Sequence, residues 1–543
     1  MSLPGQIATQ AKTKLQTLAT LTSAGIVRPT RPDRLLNTAV ALLRWGPTPA
    51  AGYTSAAFRY PDDVAIVDEL GTLTFKQVHK RSNALAHALR KDGVGEGDGV
   101  AIMCRNHRGF IETVVACSKL GANALFLNTA FSKPQLTDVL EREDPHALVY
   151  DAEFAEVLGE ADAELKRYVA WHDPGDEGDD KRLEQLIEEG ETSDHKPPKQ
   201  PGKATILTSG TTGTPKGASR SQPKSMDPIA ALLDRIPLKS RETTVIAAPL
   251  FHSWGYAQWS LGISLASTVV LKRRFDPEAT LSLTAQHQAT ALVVVPVMIQ
   301  RILELEDEVL ERHDLSALRC VPVSGSALPG SQSDRWMDLF GETLYNLYGS
   351  TEVAWATIAT PKDLREAPGT AGKPPRGTIV KLYDDDGNPV EQGETGRIFV
   401  GNEVQFEGYT GGGNKDVIDG LMSSGDVGHF DDAGRLFVDG RDDDMIVSGG
   451  ENVFPQEVED LLAAHEKVKE AAVFGVDDEQ YGQRLKAVVV GDLSEDDIKQ
   501  YVKQNLAGYK VPRDVEFIDE LPRNATGKVL KRELKEDEET AEK

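Results

Sequence analysis

The sequence predicts an α/β protein. We expect a large N-terminal domain, with parallel and mixed sheets, helices and a small β-rich subdomain, and a small α+β C-terminal domain. Two observations predict this fold class. Apolar runs of strand length alternate with amphipathic helical segments from about residue 61, which is typical of parallel strands joined by helices. The chain also has 543 residues, more than one hydrophobic core usually supports.

The alternation can be followed element by element. Apolar residues at helical spacing predict helices, and short apolar runs next to Gly predict strands. The first elements that we expect are strands over 65–67 and 73–75, a helix over 77–89, a strand over 100–103, a helix over 109–120 and a strand over 124–127. Residues 173–203 are rich in Asp, Glu, Gly and Lys and end in prolines, so they predict a surface connection.

Further strands follow, and their Val-rich composition suits burial on both faces. They are expected over 244–248, 268–272, 291–295 and 320–323. Short strands separated by turns then predict a β-rich subdomain at about 378–440. The predicted domains are a basic N-terminal extension over 1–60, a large domain over 61–440 and a small C-terminal domain over 441–543.

Charge is distributed unevenly along the chain. Residues 1–60 contain seven Lys and Arg and one acid, a net charge of +6, so the other residues carry −31 of the total of −25. The overall negative charge argues against nucleic-acid binding. The basic, partly apolar extension suggests peripheral contact with an anionic membrane surface, and a helical extension packed on the body is the alternative. Three cysteines without a CxxC pair fit a reducing cytoplasm and predict neither a disulfide framework nor a zinc site.

One loop carries the strongest chemical signal. The segment LTSGTTGTPKG, residues 207–217, contains three glycines, five hydroxyl side chains and one lysine. Backbone N–H groups, hydroxyls and an ammonium all suit polyphosphate oxygens, whereas Gly and Pro disfavour a helix or a central strand. It is not a Walker A loop, because Lys216 stands between Pro215 and Gly217. We predict a nucleotide-phosphate loop of another class.

Further segments complete a set of motifs. They are APLFHSWG (248–255), SGSA (324–327), NLYGSTE (346–352), LMSSGD (421–426), GRDDDMI (440–446) with SGGEN (448–452), and LPRNATGK (521–528). In order and spacing, over roughly residues 60–535, they resemble the motifs of the adenylate-forming superfamily: acyl-CoA synthetases, peptide-synthetase adenylation domains and beetle luciferases. Two departures occur: Ser424 stands where Thr is common, and Leu421 where an aromatic residue is common.

The resemblance implies a role for each motif. ATP and AMP would be bound by Ser209, Gly210, Thr211, Thr212, Gly213, Lys216, Gly325, Ser326, Ala327, Asn346, Leu347, Tyr348, Gly349, Thr351, Asp426, Arg441 and Lys528. The catalytic residues would be Lys528, His252, Glu352 and Thr351, and Glu352 and Ser209 would hold Mg²⁺. The acyl pocket would include His252, Trp254, Gly255 and Gly325. Coenzyme A would pass Ser448, Gly449 and Gly450, and the mobile C-terminal domain would rotate about a hinge at Asp443.

The resemblance implies a two-step reaction, in which ATP activates a carboxylic acid as acyl-adenylate and CoA then takes the acyl group. No acid occurs between Leu250 and Gly262 to pair with a substrate ammonium, so an amino-acid substrate is disfavoured. Small pocket residues and the basic extension favour a medium- or long-chain fatty acid and a fatty-acid–CoA ligase. An aryl acid stacked on Trp254 or Tyr256, an acyl-AMP ligase that loads a carrier protein, and a non-catalytic sensor are the alternatives.

Overall fold

The computed structural model describes residues 3–29, 31–159, 165–176, 180–208, 216–220, 225–404, 406–409, 415–442, 446–448, 451–478, 482–524 and 527–535. The helices are α1 Leu3–Ser23, α2 Pro32–Trp45, α3 Pro49–Arg59, α4 Phe75–Lys91, α5 Arg108–Leu120, α6 Lys133–Glu143, α7 Ala155–Leu158, α8 Leu183–Glu189, α9 Asp227–Arg235, α10 Ser253–Leu265, α11 Pro277–Gln286, α12 Pro296–Leu303, α13 Asp307–Arg312, α14 Gly330–Phe340, α15 Pro361–Glu366, α16 Pro455–Ala463 and α17 Glu495–Asn505.

The strands alternate with these helices. They are β1 Val64–Asp68, β2 Gly71–Thr74, β3 Gly99–Met103, β4 Asn123–Phe126, β5 Ala147–Asp151, β6 Lys166–Trp171, β7 Lys181–Arg182, β8 Ala204–Thr208, β9 Lys216–Arg220, β10 Thr243–Ile246, β11 Thr268–Leu271, β12 Ala291–Val293, β13 Val321–Val323, β14 Leu344–Tyr348, β15 Thr357–Ala359, β16 Ile379–Tyr383, β17 Gly396–Gly401, β18 Phe406–Tyr409, β19 Val417–Ile418, β20 Leu421–Phe430, β21 Leu436–Arg441, β22 Ile446–Ser448, β23 Glu451–Val453, β24 Val468–Asp478, β25 Gly482–Gly491 and β26 Asp514–Phe517.

The chain divides into two compact units. The first comprises Met1–Val294, Glu304–Pro322 and Glu403–Asn414, and the second comprises Val295–Leu303, Val323–Asn402 and Lys415–Lys543. The first unit contains two sheets with strand orders β12–β10–β11–β1–β2 and β18–β9–β8–β4–β3–β5–β6–β7. In the second of these sheets the strands from β8 to β7 are parallel to one another. At the opposite edge β9 pairs antiparallel with β8, and β18 pairs antiparallel with β9. The predicted α/β class with parallel and mixed sheets is confirmed.

A helical layer lies between the two sheets of the first unit. Helix α4 contacts β1 and β2 of one sheet and α5, and α5 contacts β3, β4 and β6 of the other. Helix α5 is therefore covered from several sides, and nearly all of its side chains are buried, including that of Lys119. The Lys119 ammonium donates to Asn83 Oδ1 (2.6 Å), Ser82 Oγ (2.8 Å) and His79 O (2.9 Å) of α4.

Burial lowers the pKa of Lys119 to about 7. An unfolded lysine keeps its proton up to a pH near 10.5, so between pH 7 and 10 the unfolded chain holds a proton that the folded chain lacks. Because the unfolded chain binds this additional proton, the free energy of unfolding rises with pH, by up to about 1.4 kcal/mol per pH unit. We expect the Lys119→Met variant to lose this rise in urea titrations at pH 7, 8 and 9. Lys91→Met, on the exposed end of α4, is the control; identical pH slopes for Lys119→Met and wild type would contradict the prediction.

The second unit contains the predicted β-rich region and the C-terminal α+β region. Strands β16–β17–β20–β19 form one sheet, to which β21 adds through β20, and β23–β22–β25–β24 form another, to which β26 adds through β25. Helices α16 and α17 pack on the latter sheet around a core that includes Val458, Leu462 and Val502. The proposed boundaries at 60 and 440 remain predictions.

Two local predictions were wrong. Phe75 begins α4 instead of ending a strand, because Thr74 and Gln77 form a capping box: the Thr74 hydroxyl accepts from the Gln77 N–H, and the Gln77 amide oxygen accepts from the Thr74 N–H. The segment 173–203 is more than a surface connection. It contains β7 and α8, and α8 buries Leu183, Leu186 and Ile187.

Candidate functional site

The phosphate loop joins two antiparallel strands of the first unit. Strand β8 pairs with β9 in a register that places Thr208 opposite Lys216. Because β8 is parallel to β4, the loop starts at the carboxyl edge of the sheet, where open α/β sheets bind ligands. Ser209, Gly210, Thr211, Thr212 and Gly213 lie outside the described residues, and Lys216 is the first residue of β9. Their contacts with phosphate remain predictions.

The segment that precedes His252 is held by a buried asparagine that the sequence analysis missed. Asn106 follows β3, and its amide donates to the carbonyl oxygen of Ala248 (2.9 Å). Its Oδ1 accepts from the N–H of Leu250 (2.8 Å). Asn106 therefore determines the path of the chain from β10 to His252. A polar residue three positions after the end of a buried strand was the available signal.

His252 is the residue before α10 and is partly buried. Burial lowers the pKa of its imidazole to about 4, so the ring is neutral at neutral pH. A Cβ on Gly255 would lie 2.2 Å from the carbonyl oxygen of Pro249, so only glycine lets α10 approach the preceding segment this closely. The Trp254 indole N–H donates to the carbonyl oxygen of Val294 (2.9 Å), which orients this ring.

Replacing Asn106 by leucine is expected to destabilise the first unit by about 2 kcal/mol, because buried backbone groups at Ala248 and Leu250 lose their partners. We also expect a higher KM for the carboxylic acid, because the path of the chain to His252 would relax. Urea denaturation and steady-state kinetics test this. Asn505→Leu removes an exposed amide that bonds Tyr501 O and is the control. Wild-type stability in Asn106→Leu would contradict the prediction.

A group of polar contacts around His107 and Asp151 holds the turn that carries Asn106. The Nε2 of His107 lies 2.7 Å from Asp151 Oδ1, and its Nδ1 accepts from the Gly109 N–H (3.1 Å). Asp151 Oδ2 accepts from the Arg105 N–H (3.0 Å). Cys104, His107 and Asp151 bring potential metal-ligand atoms within 4.8 Å of one another. Both imidazole nitrogens already have protein partners, so this group serves to fix the turn that carries Asn106.

In the second unit, the NLYGSTE motif forms the end of β14 and the hairpin loop to β15. A Cβ on Gly349 would lie 2.0 Å from the carbonyl oxygen of Ala354, so the loop requires glycine there. Ser350 Oγ donates to Glu352 Oε2 (2.8 Å) and accepts from the backbone N–H groups of Glu352 and Val353. Thr351 and Glu352 are half-buried. Asn346 and Leu347 belong to β14, which precedes this loop, and both are buried.

A partly exposed carboxylate beside a hydroxyl is the type of donor that Mg²⁺ prefers, so the residues at Glu352 fit this ion. Ser209, the other predicted ligand, lies outside the described residues. Glu352 would supply carboxylate oxygen, and the bound ion would neutralise charge on the phosphates of ATP.

The structure joins Tyr348 and Asp426, which lie 78 positions apart. The Tyr348 hydroxyl donates to Asp426 Oδ2 at 2.5 Å and lies 3.0 Å from Ser424 Oγ. Arg441 Nη1 lies 3.8 Å from Asp426 Oδ1, across the β20–β21 pair. Burial raises the pKa of Asp426, while Tyr348 and the positive charges of Arg441 and Lys528 oppose this rise. The unit therefore brings Tyr348, predicted to contact adenine, together with Asp426 and Arg441, predicted to hold the ribose.

Lys528 lies in a loop whose described residues are tied together. The Lys528 N–H donates to Asn524 Oδ1 (2.9 Å), and Arg523 donates to Gly527 O (2.5 Å). Arg523 also pairs with Glu470 in β24 at 2.9 Å. Sequence reasoning did not predict Glu470, which lies 53 positions before Arg523 and outside every motif.

Packing on α12 also constrains this loop. Gly527 has a φ of +78°, and a Cβ there would lie 2.1 Å from Val297 Cγ1. Gln300 of the same helix donates to Glu470 Oε1 at 3.0 Å. Glycine is therefore required where the Lys528 loop meets α12.

The remaining predicted residues are only partly described. Gly325, with a φ of +112°, Ser326 and Ala327 form an exposed turn after β13. Ser448 ends β22 and pairs with Glu451. Gly449, Gly450 and the hinge residue Asp443 lie outside the described residues, so the CoA path and the hinge remain predictions.

Comparison with known proteins identifies the family. The model of the family described as "AMP-binding enzyme" matches residues 53–410, and that of the "AMP-binding enzyme C-terminal domain" matches residues 457–528. A feruloyl-CoA synthase from Amycolatopsis sp is 34% identical over 478 residues, which cover 85% of this chain and 93% of that protein. A 2-succinylbenzoate–CoA ligase from Bacillus licheniformis is 32% identical over 482 residues, covering 87% and 97%.

Solved structures agree with these matches. The crystal structure of the anthranilate CoA ligase AuaEII in complex with anthranoyl-AMP is similar with a TM-score of 0.82 and 26% identity, covering 91% of this chain and 98% of that one. The matched ranges contain the phosphate loop, His252, Glu352 and Lys528. The chain therefore belongs to the AMP-binding enzyme family and is an AMP-forming acid–CoA ligase that uses ATP, Mg²⁺ and CoA.

Proposed function

We propose that this enzyme activates an aromatic carboxylic acid and transfers it to CoA. The similarity to ligases whose names specify feruloyl, succinylbenzoate and anthranilate substrates carries this proposal. The medium- or long-chain fatty acid favoured by the sequence has less support, because the aromatic alternative fits these relatives better.

The surroundings of α10 support an aromatic substrate. Tyr256 is half-buried, with its ring centroid 5.0 Å from that of Phe126 and 5.5 Å from that of Trp259. Trp259 in turn donates its indole N–H to the Tyr53 hydroxyl (3.2 Å). Such a connected set of rings holds Tyr256 in a defined orientation, in which it can offer an edge or a face to a flat acid. The neutral imidazole of His252 can donate to the carboxylate without the cost of burying a second charge.

In the first step, an oxygen of the acid attacks the α-phosphorus of ATP, and the bond to pyrophosphate breaks. We propose that Lys216 and the hydroxyls of the phosphate loop hold the leaving pyrophosphate, while Thr351 and Lys528 contact the α-phosphate. Asp426 and Arg441 hold the ribose, and Tyr348 and the turn at Gly325 contact the adenine. Catalysis then depends on positioning and on neutralisation of the charge that gathers at phosphorus.

In the second step, the CoA sulfur attacks the acyl carbon, the bond to AMP breaks and the thiol proton is released. We propose that the C-terminal domain rotates about Asp443 between the steps, so that the segment of Ser448, Gly449 and Gly450 replaces Lys528 at the reaction centre. In this mechanism Lys528 is needed in only the first of the two half-reactions.

A substrate panel tests the proposal. Purified enzyme with ATP and Mg²⁺ receives ferulate, anthranilate, benzoate, octanoate or palmitate, each with and without CoA. Pyrophosphate release and mass spectrometry of the thioester are measured, with Lys528→Ala as the background control. We expect CoA-dependent turnover, with kcat/KM at least tenfold higher for an aromatic acid than for both fatty acids.

Each other outcome points to a rival function. Preference for octanoate or palmitate would establish the fatty-acid ligase instead. Formation of acyl-AMP that CoA does not consume would indicate an acyl-AMP ligase for a carrier protein. No pyrophosphate with any acid would favour a sensor on the same fold.

A further inference from the structure

Helix α2 presents an apolar face to solvent. Leu35, Leu36, Val40, Leu42 and Leu43 are all exposed, with Leu36 at 65% and Leu43 at 86% of full exposure. Positions 35, 36, 40 and 43 have the spacing of one side of a helix. We refer to these five residues as the outward face of α2.

This exposure is concentrated in the N-terminal helices. Of the sixteen large apolar side chains that are exposed in the described part of the chain, nine lie between Leu15 and Phe58. Single exposed leucines are ordinary on a protein surface, but a group on one helix marks an interaction surface. The outward face of α2 therefore has the properties of a surface that binds an apolar partner.

The opposite side of α2 holds the helix on the first unit. Ala41 and Trp45 are buried against Ala50 and Ala51 of α3. Arg34 donates to the carbonyl oxygen of Arg59 (2.7 Å). The helix is thus anchored through a narrow strip, and its leucines do not contribute to this packing.

Charge identifies the kind of partner. Exposed cations lie at both ends of α2, Arg31 before it and Arg44 within it, and α1 adds the exposed Lys12 and Lys14 to the same N-terminal segment. Arg31 pairs with Asp33 (3.1 Å), the one acid of residues 1–60, and Arg44 lies over Trp45. The segment carries +6 on a chain whose other residues carry −31. Exposed leucines in a basic segment complement a surface with anionic headgroups above hydrocarbon.

We propose that the outward face of α2 docks on the surface of an anionic lipid membrane. A second copy of the chain is a poorer occupant, because a symmetric contact through this face would bring two +6 segments together. In the described residues no helix combines the length and the apolar character needed to cross a membrane, so the contact would be peripheral.

Co-sedimentation with vesicles tests the proposal without any substrate, so its outcome is independent of the proposed function. We compare phosphatidylcholine vesicles with vesicles that contain one anionic lipid, phosphatidylglycerol. The test variant is Leu36→Glu with Leu43→Glu. Leu70→Glu, at a leucine that is 59% exposed outside α1 and α2, is the matched control.

We expect at least tenfold stronger binding to the anionic vesicles, weaker binding at high salt, and a tenfold or greater loss in the double variant. Leu70→Glu should bind like wild type, and all variants should retain the circular dichroism spectrum and melting temperature of wild type, which verifies their folding. Equal binding to neutral vesicles, binding that the double variant retains, or no binding to either kind would overturn the proposal. A wild-type dimer in light scattering that the double variant abolishes would show that a second copy occupies the face instead.

Discussion

Replacement of Lys528 by alanine is expected to slow acyl-adenylate formation by about 10²- to 10³-fold, the effect of removing one preorganised donor from a developing charge. The loop around Lys528 is ordered by Asn524, by the Arg523–Glu470 pair and by packing of Gly527 on α12. These contacts fix the backbone from which the Lys528 side chain would reach the α-phosphate. Pyrophosphate release from ATP and the acid measures this half-reaction.

The second half-reaction provides the decisive control. Synthetic acyl-adenylate and CoA supplied to Lys528→Ala should give thioester at nearly the wild-type rate, because in the proposed mechanism Lys528 acts before the rotation. Lys503→Ala, at an exposed position of α17, should leave both rates unchanged. Equal loss of both half-reactions in Lys528→Ala would contradict the assignment of Lys528 to adenylation alone.

Replacement of Asp426 by asparagine is expected to lower kcat/KM for ATP by about tenfold to a hundredfold, which corresponds to about 1.4 to 2.7 kcal/mol for charged hydrogen bonds. Asparagine keeps the volume of this partly buried side chain and can still accept from Tyr348. It loses the charge that faces Arg441 and that would accept two ribose hydroxyls. The KM values for the acid and for CoA should change little.

The sugar contact can be isolated by comparing ATP with 2′-deoxy-ATP. If Asp426 accepts the 2′-hydroxyl, loss of this hydroxyl should reduce kcat/KM strongly in wild type and only slightly in Asp426→Asn. Tyr348→Phe keeps the ring and removes one neutral donor to Asp426, so it should cost less than Asp426→Asn. Equal sensitivity of wild type and Asp426→Asn to the 2′-hydroxyl would contradict ribose binding by this residue.

Local pattern predicted most elements correctly. Helix α5 was expected over 109–120 and occupies Arg108–Leu120, because its apolar residues recur at helical spacing. The strand at 73–75 was misjudged at Phe75, since apolar character alone cannot distinguish a strand end from the first residue of a capped helix. Helix α8 was missed because its charged exposed residues outweigh Leu183, Leu186 and Ile187 in composition.

The sequence by itself determined the family and the class of chemistry. A glycine-rich loop, a carboxylate after Tyr-Gly and a lysine after Thr-Gly are short strings, and each can be recognised without knowledge of its neighbours in space. The tertiary structure alone decided that Tyr348 donates to Asp426, that Asn106 holds the segment before His252 across 142 positions, and that Glu470 orders the Lys528 loop. Such contacts depend on how sheets and helices pack, so no spacing along the chain encodes them.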